Sequence, residues 1–265
     1  MFETVTDKPW ECIHGYFLLF DFVHLLKNIR NNWLTEKTGS IDFKIEDESF
    51  TARWSDLLAL YKLESNLTEK NSGIRGLSKL TEVAVRRKPV ERQRVSTCLR
   101  VFCDETCAAL RVHPTLKTQS KGTALFVQKV TDLWKTLNVR TVNKDIRHND
   151  PRECVIRSTE DPRLNTILKM ADWFVSIGKK PGGKRQKTLT IDTSNALRHT
   201  LNGIVGLCKK LLSSTHNFVM IGEHCSDPLE KEFGKLRQGS GGEWKSLYFK
   251  LFRDKLFLRE AYEQL

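Results

Sequence analysis

The sequence predicts a mainly α-helical chain with a few short strands. Three observations lead there. Several segments repeat apolar residues at helical spacing. Continuous apolar runs short enough to be buried strands are few. The composition, 39 % apolar and 29 % charged over 265 residues, suits a packed soluble core rather than a disordered tail.

Along the chain, Tyr16–Phe20 is a short apolar run of strand length, with two aromatics among its residues. Asp21 ends it. Phe22, Leu25, Leu26, Ile29 and Trp33 then recur at helical spacing, with His24, Lys27, Asn28 and Asn31 as the polar stripe. Residues 35–48 read as polar and irregular, punctuated by Gly39. A helix is expected from Phe50 to Leu63 through Trp54, Leu57, Leu58 and Tyr61. A long helix is expected from about Val90 to Leu110, following the break at Arg86–Pro89. The period returns over Ala124–Leu137, Asn165–Ile177 and Thr190–Leu212. Residues 143–163 read as a loop and Phe218–Ile221 as a short strand. Residues 178–187 form a basic loop with no apolar anchor, and a final amphipathic helix is expected over 244–262.

The formal charge of +12 favours polyanions without choosing among DNA, RNA, anionic membrane and nucleotide phosphate. No apolar run is long enough to span a bilayer, and the first residues lack a secretion-signal pattern. The expectation is a nuclear or cytosolic protein. Seven cysteines are scattered without metal-knuckle spacing and read as free thiols. Gly178–Lys187 lacks the order of a Walker phosphate loop.

Two carboxylates invite attention. Asp21 stands where a strand would give way to a helix, a position that suits either a helix cap or a metal ligand. Asp227-Pro228-Leu229-Glu230 fits an N-cap, a proline at the first helical position and the third residue of a capping box. Phosphodiester chemistry offers another use for such residues. Two divalent ions held by converging carboxylates activate a nucleophile and stabilise the leaving oxygen.

At these residues the chain resembles the P-element transposases and the THAP-domain proteins derived from them. The resemblance runs over Phe20–Trp33, Trp134–Val139, Leu189–Thr200 and Asp227–Gly242. It implies an RNase H-like α/β domain split by a mostly helical insertion. By that division, residues 1–34 and 216–265 belong to the catalytic domain and 35–215 to the insertion. The resemblance implies that Asp21 and Glu230 are the second and third acids of a magnesium site. It also implies a first acid on an earlier strand, and a chain without it is expected not to cut DNA by itself. For the insertion it implies GTP near Trp134, Asn138 and Asp227. Lys135 departs from the family pattern, which has an acid there. DNA is the implied partner, with Lys27, Arg30, Arg237, Lys184 and Arg185 as candidate phosphate contacts. The nucleus is the implied compartment. A non-catalytic protein that regulates or binds an intact transposase, or associates with itself, is the alternative.

Overall fold

The computed structural model describes residues 17–35, 39–70, 76–86, 93–177, 189–226 and 230–235. Among these the chain is mainly helical, with one small two-stranded sheet. It separates into two compact units, Met1–Glu223 and His224–Leu265. The expected basic loop at 178–187, the glycines at 239–242 and the helix over 244–262 lie outside the described residues, as do Asp227, Arg237, Lys184 and Arg185.

In the first unit, α1 (Phe22–Leu34) is the central helix. The sequence shows a polar stripe on it, but only part of that stripe reaches solvent. His24 and Asn28 are exposed, whereas Lys27 and Arg30 are buried with the apolar residues. The reason is packing on several sides at once. Helix α1 contacts α9 (Ile191–Leu212), α4 (Val95–Val101) and the first strand of the sheet.

That sheet is the largest departure from the expected pattern. Residues 40–53 form an antiparallel hairpin, β1 (Ser40–Ile45) against β2 (Glu48–Arg53), with Phe43 opposite Phe50. Ile41, Phe43 and Ile45 do alternate with polar residues, which is the period of a half-buried strand. The turn conceals the signal. Its first residue, Glu46, takes φ 54°, a left-handed conformation that glycine or asparagine usually fills. The α2 helix (Trp54–Lys70) therefore starts only where β2 ends.

The long helix expected up to Leu110 is broken. It is realised as α4 and α5 (Asp104–Val112), with α3 (Glu82–Val85) before them. Phe102 leaves helical geometry at φ −94°, ψ 76°. Its ring lies within an aromatic cluster with Trp33 and Phe126. Helix α6 (Lys121–Leu137) keeps its predicted period. The expected loop at 143–163 instead holds α7 (Lys144–His148) and a short 3-10 turn, Pro151–Glu153. Helix α8 (Pro162–Ser176) and α9 follow, packed on each other. Asp161 caps α8 by accepting the Arg163 N–H at 2.9 Å. Thr190 caps α9 by accepting the Thr193 N–H. Both caps supply acceptors to otherwise orphan amides.

Two expected strands are not built among the described residues. Residues 18–20 are irregular, and Phe17 holds only a bridge position. Their backbone polar groups find partners on α9. The Phe20 N–H donates to Thr200 Oγ1 at 3.1 Å, and the Leu18 carbonyl accepts from His199 Nε2 at 2.7 Å. Residues 218–221 contribute one isolated bridge, Val219 to Ile156.

Tight contact between α6 and the hairpin has a measurable consequence. A Cβ on Gly122 would overlap the Thr51 carbonyl oxygen and stand 3.0 Å from its carbon. Backbone cannot yield as a flexible side chain does. Gly122→Ala should therefore cost about 1–3 kcal/mol despite alanine's better helix propensity. Urea denaturation would show this as a lower midpoint at constant slope.

Candidate functional site

Asp21 takes an extended conformation, φ −62° and ψ 114°, immediately before α1. Its Oδ1 accepts the Val23 N–H at 2.7 Å, and its Oδ2 lies 3.1 Å from His24 Nδ1. The local reading as a helix cap is therefore realised. An ionised carboxylate offers about four lone-pair sites, so a capping role does not preclude another. A hard oxygen ligand for a divalent ion fits this residue as it stands.

An open cleft lies beside it, lined by Phe20, Asp21, His24, Asn28, Asp192, Asn195 and His199 among others. Sequence reasoning named Asp21 but not its neighbours from α9. They arrive through packing between segments more than 150 positions apart. Asn32 of α1 clamps the start of α9, its Oδ1 accepting the Thr190 N–H at 2.7 Å. Its amide also donates to Thr193 Oγ1 at 3.4 Å. The Phe20 and His199 rings meet edge to face at 5.5 Å. The segments 20–33 and 189–200 are thus brought together.

Glu230 belongs to the second unit, where 230–235 is helical and the Glu230 side chain is exposed. Its N–H donates to the Ser226 carbonyl at 2.9 Å, and its Oε1 accepts from the Ser226 hydroxyl at 2.9 Å. The expected cap at Asp227 lies outside the described residues.

Trp134, Lys135 and Asn138 sit at the end of α6. Trp134 is half-buried and packs its ring 5.9 Å from Phe22. Together they line a narrow apolar crevice with Leu25, Leu137 and Leu201. Asn138 is the C-cap of α6. Its Oδ1 accepts from Arg140 Nε at 3.0 Å, and its carbonyl accepts from Lys144 Nζ at 2.7 Å. Lys135 Nζ lies between Asp104 Oδ2 and Asp150 Oδ2, at 2.6 Å from each. Arg152 joins the same cluster, with Asp132 at 2.5 Å and both Asp104 and Asp150 at 2.7 Å.

The electrostatics follow from this geometry. Burial pushes the Asp104 carboxyl up, but hydrogen bonds from Arg152 and Lys135 outweigh it and hold the group at about 2. Asp150 is held well below the ordinary carboxylate range, first by Arg152, against some burial, and then by Lys135. Asp104 and Asp150 are therefore ionised near neutrality. Of the cluster's members, sequence reasoning singled out only Lys135. Asp104, Asp150 and Arg152 come from segments whose meeting no local pattern reveals.

The residues at this face do not fit a guanine base. Guanine presents N–H donors that need an acceptor, and a lysine ammonium offers none. Asn138 already has its side-chain oxygen and its carbonyl engaged within the protein.

Of the candidate DNA contacts, the two on α1 are not at the surface. Arg30 is 0 % exposed and Lys27 8 %. Arg30 Nη2 donates to the Ala84 carbonyl at 2.7 Å, and its guanidinium lies 5.7 Å from the Trp54 ring centre. These cations face α4, where they offset part of the burial that pushes the Cys98 thiol up to about 11. Their expected role on phosphate is corrected to one in the interior.

The described cysteines are free thiols, three of them buried. No helix among the described residues is long and apolar enough to cross a membrane.

No protein-family model matches this chain, and no curated protein does. Among solved structures, the chain is similar to one in the Drosophila P element transposase strand transfer complex. The TM-score is 0.68 at 17 % identity, covering 89 % of this chain and 50 % of that one. This chain thus spans half the length of the solved chain it matches. At that identity the likeness is one of fold alone.

Proposed function

We propose that this chain is a DNA-binding module of a P-element-type transposase. Residues 1–34 and 216–265 would be the two parts of a split RNase H-like domain, and 35–215 its helical insertion. The observation that carries this reading is the fold likeness over nearly the whole chain, at TM-score 0.68. Asp21 supports it further. The carboxylate stands at the head of the central helix and lines an open cleft.

In this reading Asp21 and Glu230 are each magnesium ligands. Two such ions, when bound, supply a nucleophile at neutral pH and stabilise the leaving oxygen of a phosphodiester. The chain's own residues supply hard oxygen ligands, and α1 fixes one of them in place. DNA is the proposed partner and the nucleus the proposed compartment. With Lys27 and Arg30 in the interior, the proposed phosphate contacts are Lys184, Arg185 and Arg237.

Titration with Mn²⁺, read by calorimetry, tests the metal site. Asp21→Asn and Glu230→Gln should each weaken binding at least about tenfold, since each removes a charged ligand. Unchanged affinity in both variants would reject both residues as metal ligands. Fluorescence anisotropy with duplex DNA tests the partner. Lys184→Ala with Arg185→Ala should reduce the slope of log affinity against log salt by about 2, at roughly 0.9 per phosphate contact. A salt-independent or undetectable affinity in the parent chain would reject DNA binding.

A further inference from the structure

The cluster around Lys135 is built from three separate segments. Asp104 opens α5, Asp132 and Lys135 lie on α6, and Asp150 caps the 3-10 turn at Pro151–Glu153 that carries Arg152. Arg152 donates to all three aspartates, and Lys135 to two of them. Three carboxylates against two cations leave one negative charge in excess. A nucleotide's phosphates brought to this face would meet that excess, while its base would meet an ammonium with no acceptor.

We propose that this ion-pair cluster is a resident tether that takes the place of a nucleotide. It joins α5, α6 and the 3-10 turn directly, so the module folds and binds DNA without guanine nucleotide. The location rests on the P-element reading, because that reading puts the nucleotide at Trp134–Asn138. The tethering role rests on the cluster's own geometry. Lys135 and Arg152 act as positioning residues here. They hold three segments in register, and removing either leaves carboxylates facing one another with less compensation.

Thermal unfolding and calorimetry of the full chain, with Mg²⁺ and 1 mM GTP, GDP or ATP, test the proposal. The parent midpoint should be the same with and without each nucleotide, whereas a micromolar ligand at that concentration would raise it by several degrees. Lys135→Met should lower the midpoint by roughly 5 °C, and no nucleotide should restore it. Lys135→Arg, which keeps the charge, should restore most of the loss. The double change Lys135→Met with Asp104→Asn should cost less than the sum of the single changes. A nucleotide-dependent rise in the parent midpoint, or heat on GTP titration, overturns the proposal. So does an unchanged midpoint in Lys135→Met. If Lys135→Met does not fold, Lys135→Arg and the parent titration still decide it. Salt-dependent DNA binding is measured separately, so failure of the transposase reading and failure of the tether give different results.

Discussion

Replacing Trp33 with alanine should lower the unfolding free energy by about 3–5 kcal/mol. Trp33 is fully buried at 0 % exposure. Its ring meets Trp54 edge-on at 5.1 Å and Phe126 at 5.0 Å, and lies 6.3 Å from Phe102. These partners come from α2, the α4–α5 break and α6, so the indole joins three parts of the unit around α1. Its Nε1–H also donates to the Ala52 carbonyl at 3.3 Å. Truncation would open a cavity among aromatic rings fixed by their own helices and unable to collapse fully. It would also remove the hydrogen bond to the hairpin. Urea denaturation of Trp33→Ala and Trp33→Phe would measure the effect, with phenylalanine recovering part of it. A loss below about 1 kcal/mol for alanine would contradict the assignment of Trp33 as the centre of the core.

Arg30→Met should cost about 2–4 kcal/mol of stability while leaving the DNA affinity of the folded protein unchanged. Methionine restores much of the apolar volume, so the loss reports chiefly the guanidinium. That group donates to the Ala84 carbonyl and lies against Trp54. It thereby ties α1 to the end of α3. Without it, the Ala84 carbonyl loses a charged donor in a place where α3 and α4 pack together. The paired measurement separates two readings of the same residue. A phosphate contact would alter the salt slope and spare the midpoint, whereas an interior donor alters the midpoint and spares the slope.

How much of this was readable beforehand differs from element to element. The helices α6, α8 and α9 were legible because long apolar periodicity is a local property of sequence. The cap at Asp21 was legible because a carboxylate before an apolar periodic run has a known local use. The hairpin was not, because a turn with φ 54° at Glu46 lacks the usual glycine or asparagine. The break at Phe102 was not, because its cause is an aromatic cluster contributed by distant residues. On α1, local pattern put Lys27 and His24 on one polar face. Only packing against α4 separates them, with Lys27 buried and His24 exposed.

Sequence by itself determined that this chain is mainly helical, and it pointed to Asp21 as the cap of a helix. Its quoted motifs also indicated a P-element-type fold, which the solved P element transposase then matched in three dimensions. Tertiary structure alone decided which cations lie inside. It also decided which α9 residues share the cleft with Asp21, and that Lys135 is enclosed by carboxylates from α5 and the 3-10 turn. The physical reason is range. Periodicity and caps depend on residues within a few positions of one another, whereas burial and ion pairing depend on segments that meet only once the helices have packed.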